Sequence, residues 1–171
     1  MFDRLIDVLL QFIHLFKFWV VLDPYEGGLV LRLGKFNRVL ESGFHWVIPF
    51  GIDQVPAEHI MPKTHSLGYE SITTADGKSV GFHAVVTYRV HNIKKAILEV
   101  EDVDHAVRDA CLGEIGRVFR ESTWEDIGYP SILDALTSAC RQRGFRYGIE
   151  VISVQLAGLA ICKSLRLMQN S

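Results

Sequence analysis

The chain has 171 residues, of which 49% are hydrophobic and 22% charged, and its formal net charge at pH 7 is −2. This length fits one ordinary domain or two small subdomains, and the composition excludes an intrinsically disordered chain. The near balance of charges argues against a dedicated nucleic-acid binder, which would carry a strong basic excess. The three cysteines form no CxxC pair, so neither a disulfide framework nor a structural zinc site is expected.

The first 22 residues are the most apolar part of the chain. They are long enough to span a bilayer as a helix, which takes about 20 residues, but charged and polar residues interrupt them. On a helical wheel these polar residues fall within a sector of about 140°, and the opposite side is apolar. The pattern predicts an amphipathic helix over residues 1–22 that lies in the membrane interface. Its lipid-contacting face is predicted to comprise Phe2, Leu5, Ile6, Leu9, Phe12, Ile13, Phe16, Trp19 and Val20.

Two other placements of this segment stay open from the sequence. The helix would cross the bilayer if the Lys17 side chain reached the headgroups, and it would also serve as an ordinary amphipathic helix packed on protein. A secretory signal peptide is disfavoured, because the first residues mix both charge signs and no small-residue cleavage site follows.

The Asp23-Pro24 pair ends the helical pattern, and short apolar runs between turn residues follow it. The runs at 29–33, 45–48 and 52–60 are strand candidates. A turn-forming stretch at 73–78 precedes residues 80–90, in which apolar and polar residues alternate. This period of two predicts a strand with one buried face.

From residue 100 the apolar residues recur at steps of three and four, which predicts an amphipathic helix of about 20 residues. Thr123 and Asp126 have the spacing of a capping box, which opens a short turn. A second helix is predicted from Pro130 to about Gly148, and residues 149–156 read as one more strand. The order of strands, helix, helix and strand indicates the α+β class.

No motif in the sequence points to an enzyme, since glycine-rich nucleotide loops, GxSxG and HExxH are all absent. The seven histidines have no compact ligand spacing. Cys111 lies on the apolar stripe of the long helix, with His105 on the opposite side, so the pair does not suggest a nucleophile and its base. We therefore expect no catalytic residue, no metal site and no cofactor.

Four segments, in order along the chain, are together similar to one known family. They are residues 20–35 (VVLDPYEGGLVLRLGK), 42–50 (SGFHWVIPF), 72–90 (ITTADGKSVGFHAVVTYRV) and 148–151 (GIEV). Their sequences and spacing resemble the SPFH (band 7) domain of stomatins, prohibitins, flotillins and the bacterial HflK/HflC proteins. Within this family, the sequence most resembles the stomatin and HflK/HflC branches.

This resemblance implies an SPFH-type α+β domain over residues 23–160, with a strand-rich first subdomain and an αβ second subdomain behind the membrane helix at 1–22. It also implies a non-enzymatic membrane-associated scaffold that self-assembles into a ring or cage-like homo-oligomer and organises or regulates membrane proteins. The expected partners are membrane lipids, further copies of the chain and a membrane-protein client such as a protease or channel. The body is expected to lie on the cytoplasmic side, and nucleic acid is not an expected partner.

The sequence departs from the family pattern at its end. Residues 161–171 form a short tail where the family has a long coiled coil, and residues 156–168 lack the proline that often follows the closing strand. A smaller or flatter ring than a closed cage is compatible with this departure. One alternative function stays open, a structural or protein-interaction module of a larger assembly, including a phage-encoded one, in which the N-terminal helix binds protein rather than lipid.

Overall fold

A computed structural model describes residues 18–162 of the chain. These residues form two compact units. The first comprises residues 18–61 together with Val90–Glu101, and the second comprises Pro62–Arg89 together with residues 102–162. The chain therefore leaves the first unit after Met61, returns to it for Val90–Glu101 and then enters the second unit again.

The first unit consists mainly of short antiparallel strands. Its elements are β1 (Trp19–Leu22), β2 (Glu26–Arg32), β3 (Lys35–Leu40), β4 (Gly43–Trp46), β5 (Asp53–Gln54), β6 (Ala57–His59) and a short helix α1 (Ile93–Leu98). Strand β1 pairs with β4, whereas β2 pairs with β3, β5 and β6.

A small apolar cluster holds the strands of the first unit together. Leu22, Val30 and Leu40 are buried in it, and Val20 and Val55 pack against them. Gly28 lies in β2, where a Cβ atom would come within 3.2 Å of the Pro56 carbonyl oxygen and 3.1 Å of the Leu22 side chain. The absence of a side chain at Gly28 therefore lets the neighbouring segment approach closely.

Strand β1 corrects the sequence prediction for the end of the N-terminal segment. The helix was predicted through residue 22, whereas Trp19–Leu22 is extended and pairs with β4. This pairing supplies hydrogen-bond partners for the backbone, and the aromatic and β-branched residues of the segment favour a strand. Tertiary pairing thus overrides the helical period at these positions. The rest of the predicted helix, residues 1–17, lies outside the described residues and stays a prediction.

The second unit consists of a three-stranded sheet with helices packed on it. Its elements are β7 (Lys63–Thr73), β8 (Ser79–Val90), α2 (Val103–Glu121), α3 (Trp124–Ile127), α4 (Ser131–Gly144), a 3₁₀ turn (Phe145–Tyr147) and β9 (Ile149–Ile161). The sheet order is β7-β8-β9, and β7 and β8 are antiparallel. Helix α2 contacts β7 and α4, and α4 contacts β9.

The alternation predicted for residues 80–90 is confirmed in β8. Its inward side chains are almost fully buried: Val80, Phe82, Ala84, Val86, Tyr88 and Val90. The helical stripe predicted after residue 100 is also confirmed, since α2 buries Val103, Val107, Cys111, Ile115 and Phe119. The rings of Phe82 and Phe119 meet edge to face, with their centroids 5.1 Å apart. Aromatic packing between β8 and α2 therefore lies at the centre of this core.

The capping box and the second helix that were predicted within residues 123–148 are confirmed as well. Thr123 and Asp126 form a reciprocal capping box at the start of α3. Helix α4 ends at Gly144, somewhat before the predicted end, and Gly148 follows the 3₁₀ turn with a left-handed φ of 74°. The sequence analysis missed β3, β7 and α1. Strand β7 was missed because Leu67 is its only buried residue, so its sequence carries no apolar alternation.

Replacing the buried Phe119 by alanine tests the core of the second unit. We expect Phe119→Ala to lower the free energy of unfolding by about 3–5 kcal/mol, because the cavity it leaves would not be refilled. The matched control is Tyr69→Ala, whose side chain is 87% exposed, with an expected loss below about 1.5 kcal/mol. Urea unfolding followed by circular dichroism measures both, and equal losses would contradict the assignment of Phe119 to the core.

Candidate functional site

Exposed apolar side chains are concentrated in the first unit. Among the described residues, fourteen of the twenty large hydrophobic side chains that are exposed belong to it, although it contains well under half of those residues. A soluble surface of this size rarely carries so many apolar side chains close together, and such a concentration marks a contact with lipid or with another protein. The largest group of them lies on β1, β4 and the two adjoining turns.

Strand pairing places four of these side chains on one face of the β1–β4 pair. Trp19 lies opposite Trp46, and Val21 lies opposite Phe44, so their side chains share one face of the two-stranded sheet. The Phe44 and Trp46 rings meet edge to face, with centroids 5.3 Å apart. The other face carries Val20 and Leu22, which pack toward the apolar cluster of the first unit. The alternation of β1 therefore separates an inner face from an outer apolar face.

Two turns continue this apolar surface. The first carries Phe50, 55% exposed and with a left-handed φ of 65°, and the second carries Leu33, 76% exposed and with a φ of 51°. The Leu33 N–H donates to the Ile52 carbonyl at 2.7 Å, and the Val47 N–H donates to the Phe18 carbonyl at 2.8 Å. The first bond joins the two turns to each other, and the second joins the residue after β4 to Phe18, which precedes β1. We call the resulting surface the apolar tip; it comprises Phe18, Trp19, Val21, Leu33, Phe44, Trp46, Ile48 and Phe50.

Asp53 holds the Phe50 turn in place. Its carboxylate accepts two hydrogen bonds from the Arg32 guanidinium, at 2.8 and 3.1 Å, and one from the Ile48 N–H at 2.9 Å. The Asp53 side chain is 1% exposed, whereas that of Arg32 is 45% exposed. The hydrogen bonds from Arg32, helped by that from Ile48, lower the pKa of Asp53 below its usual value, against the effect of burial. A buried, ionised carboxylate thus ties both ends of the turn to β2.

Cationic side chains lie beside the apolar tip. The Arg38 guanidinium donates to the Trp46 carbonyl at 2.8 Å, and Lys35 is exposed on the same hairpin as Leu33. The Asp53 carboxylate, which lies beside the Phe50 turn, is neutralised by its ion pair with Arg32. The border of the apolar tip is therefore positively charged, which favours contact with anionic lipid headgroups.

The structure covers two of the predicted lipid-contacting residues. Trp19 is exposed at the apolar tip, while Val20 is half-buried and packs against the inner cluster. The remaining predicted residues, from Phe2 to Phe16, lie outside the described residues. The sequence analysis missed Leu33, Phe44, Trp46 and Phe50 as site residues, because an apolar run in a strand candidate is equally compatible with a buried core. The apolar pair Ile48 and Phe50 around Pro49 was the one signal that could have indicated a turn rather than a strand.

The other titratable groups have ordinary structural surroundings. His59 stacks on Tyr25, and His83 stacks on Tyr69 and bonds to Ser66. The Cys140 thiol is buried beside Cys111, and the hydrogen bond to Cys111 together with burial raises the pKa of Cys140. Within residues 18–162, no group of three potential metal ligands comes together. The same part of the chain contains no helix with the length and apolarity needed to cross a membrane.

Comparison with known proteins identifies the family that the sequence resembles. Residues 20–166 match the family described as SPFH domain / Band 7 family. An uncharacterized protein of Methanocaldococcus jannaschii is 38% identical over 88 residues, covering 52% of this chain and 44% of that protein. Protein HflK of Borreliella burgdorferi is 25% identical over 158 residues, covering 80% of this chain and 50% of HflK. A Band 7 protein of Drosophila melanogaster is 29% identical over 96 residues, covering 55% of this chain and 19% of that protein. The matched part is thus half or less of the length of these relatives.

Replacing Asp53 tests how the Phe50 turn is held. Because the folded-state pKa of Asp53 lies below its unfolded value of about 3.9, its contribution to stability is present above about pH 4 and is lost as the pH falls toward the folded-state pKa. We expect Asp53→Asn to destabilise the protein at pH 7 and to differ progressively less from the wild type between pH 5 and pH 3. Urea unfolding at these pH values measures the difference. Asp109→Asn, at an exposed site, is the control. If Asp53→Asn lowered the free energy of unfolding by the same amount at every pH, the result would contradict an ionised Asp53 in the folded protein.

Proposed function

The chain belongs to the SPFH domain / Band 7 family, and on this basis we propose that it is a scaffold that rests on a membrane through the apolar tip of its first unit. Members of this family are membrane-associated and are generally scaffolds rather than enzymes. The observation that carries the proposal is the outward aromatic face of β1 and β4 with its cationic border. Tryptophan and phenylalanine flanked by basic residues are typical of the membrane–water interface.

The position of the apolar tip along the chain supports a lipid partner. The amphipathic sequence of residues 1–17 leads directly into Phe18, which is the first residue of the apolar tip. A helix formed by residues 1–17 and the apolar tip would then insert side by side into the same interface. Each contact alone binds lipid reversibly, while two linked contacts bind much more tightly, because the second is intramolecular.

The finer features of the function belong to the same proposal. Several copies on one particle would bind a membrane more durably than one copy, and we propose a homo-oligomer of the ring or cage-like kind. Such an assembly would organise or regulate membrane proteins, with a protease or channel as the client and with lipids as the surface. The match to the Band 7 family, in which proteins named HflK are among the relatives, supports this direction.

Removing exposed aromatic side chains tests the apolar tip. We expect Trp46→Ser combined with Phe50→Ser to weaken vesicle binding at least about tenfold, because burying one such side chain contributes about 1.5–3 kcal/mol. The measurement is co-flotation of the full chain with liposomes of neutral and of anionic lipid. Binding of the wild type should be tighter to the anionic vesicles, given Lys35 and Arg38.

The matched control removes two exposed aromatic side chains of the second unit. Tyr69→Ser combined with Tyr129→Ser replaces residues that are 87% and 62% exposed, against 67% for Trp46 and 55% for Phe50. These substitutions should leave flotation unchanged. Equal losses in both double variants, or no loss in either, would contradict the apolar tip as the lipid contact; retained binding to a purified protein partner alone would favour the interaction-module alternative.

Deleting residues 2–17 tests the predicted helix separately. The deletion stops before Phe18 because β1 is part of the fold, and its loss would remove Leu22 and uncover Val30 and Leu40. We expect the shortened chain to remain folded by circular dichroism and to float less, and Phe12→Asp with Phe16→Asp should have the same effect. Unchanged flotation of both variants would contradict the predicted lipid contact of residues 2–17.

A further inference from the structure

A basic groove lies at the C-terminal end of α4 in the second unit. Its volume is about 260 Å³, and it lies between α2, α4 and the 3₁₀ turn. We call it the arginine groove; its lining residues are Glu114, Arg117, Ala139, Gln142, Arg143 and Arg146. Three guanidinium groups thus share one small surface with a single carboxylate.

The charges of the arginine groove are only partly compensated within the chain. Arg117 pairs with Glu114 at 3.0 Å and with Glu121 at 3.1 Å. Among the described residues, neither Arg143 nor Arg146 forms an ion pair, and Arg143 is half-buried. Two guanidinium groups in a concave surface therefore lack an anionic partner within residues 18–162. Arginine in such a setting is a strong bidentate donor to carboxylates.

The opposite end of α4 carries the complementary charge. Glu125 in α3 and Asp134 in the first turn of α4 are exposed, and within residues 18–162 neither forms an ion pair. Tyr129 lies between them in sequence and is 62% exposed. We call Glu125, Tyr129 and Asp134 the acidic end. Asp134 and Arg143 are nine residues apart in α4, so they are separated by about 13.5 Å along the helix axis.

We propose that the arginine groove of one copy binds the acidic end of the next copy. Two carboxylates match the two unpaired guanidinium groups, and tyrosine with arginine is the residue combination most typical of energetically important interface positions. The two surfaces are different and lie at opposite ends of one helix, so the contact is head to tail. Repetition of such a contact closes into a ring or extends into a filament. The inference rests on the proposed function, for which it supplies the contact between copies.

The helix dipole of α4 accounts for only part of this arrangement. A dipole favours acidic residues in the first turn and basic residues in the last turn of its own helix, which fits Asp134 and Arg143. It does not account for Arg146, which lies beyond α4 in the 3₁₀ turn, nor for Arg117, which α2 brings to the same groove. When copies stack head to tail, the dipoles of successive α4 helices also align favourably.

Charge reversal at one end tests the contact. The first variant, Arg143→Glu with Arg146→Glu, makes both ends acidic, and the second, Glu125→Lys with Asp134→Lys, makes both ends basic. We expect each to raise the concentration for half-assembly at least about tenfold, measured by mass photometry of the full chain in detergent. Lys94→Glu with Arg120→Glu applies the same change of charge at two exposed residues outside both surfaces and should leave assembly unchanged.

Mixing the two variants distinguishes the contact from simple destabilisation. In an equimolar mixture the two variants can alternate. The acidic groove of the first then meets the basic end of the second, and the native groove of the second meets the native acidic end of the first, so assembly should return to within about threefold of the wild type. A chain with all four substitutions should likewise assemble with itself but not with the wild type. Wild-type assembly that weakens with rising salt would agree with this contact.

Several results would overturn the inference. Variants that assemble like the wild type, a mixture that does not recover, or a wild type that stays monomeric would each exclude the head-to-tail contact. Inorganic phosphate that binds the wild type but not the Arg143→Glu, Arg146→Glu variant, with equal assembly of both proteins, would instead assign the groove to a small anion. Flotation with liposomes is measured on the same variants. A loss of assembly with intact flotation leaves the membrane proposal standing. Intact assembly without flotation would refute the membrane proposal alone.

Discussion

The pairing of β1 with β4 is the constraint on which the surface of the first unit depends. Because side chains alternate along a strand, pairing Trp19 with Trp46 fixes Trp19, Val21, Phe44 and Trp46 on one face and Val20 and Leu22 on the other. The inner face joins the apolar cluster, so the outer face cannot turn inward without unpacking Leu22. The exposure of these aromatic residues is therefore a consequence of a stable fold rather than of loose packing.

The turn that carries Phe50 shows how the fold maintains an unfavourable local conformation. A non-glycine residue at a φ of 65° costs about 1–2 kcal/mol. The Asp53 carboxylate offsets this cost through its bonds to Arg32 and to the Ile48 N–H, and the Ile52 carbonyl is satisfied by the Leu33 N–H. A strained, exposed aromatic residue in a turn that a buried carboxylate holds is typical of a position under functional rather than purely structural constraint.

The two units differ in the chemistry of their surfaces. The first exposes apolar and cationic groups at one tip, which suits a lipid surface, and the second carries separated arginines and carboxylates at the two ends of α4. An apolar surface gives affinity without direction, whereas paired charges fix orientation and register. A scaffold needs both properties, one for attachment and the other for ordered assembly. In the proposed function, the first unit serves attachment to the membrane and the second serves ordered assembly.

The sequence by itself determined the elements with a strong local period: β8, α2, α4 and the capping box at Thr123, together with the family resemblance. Periods of two and of three to four residues report burial directly, and those elements each bury one face. The tertiary structure decided that Trp19–Leu22 is a strand, that β7 exists, and that Phe44, Trp46 and Phe50 lie outside. An apolar residue has the same appearance in a sequence whether it faces a core or a membrane, and only the pairing of distant strands determines which face it occupies.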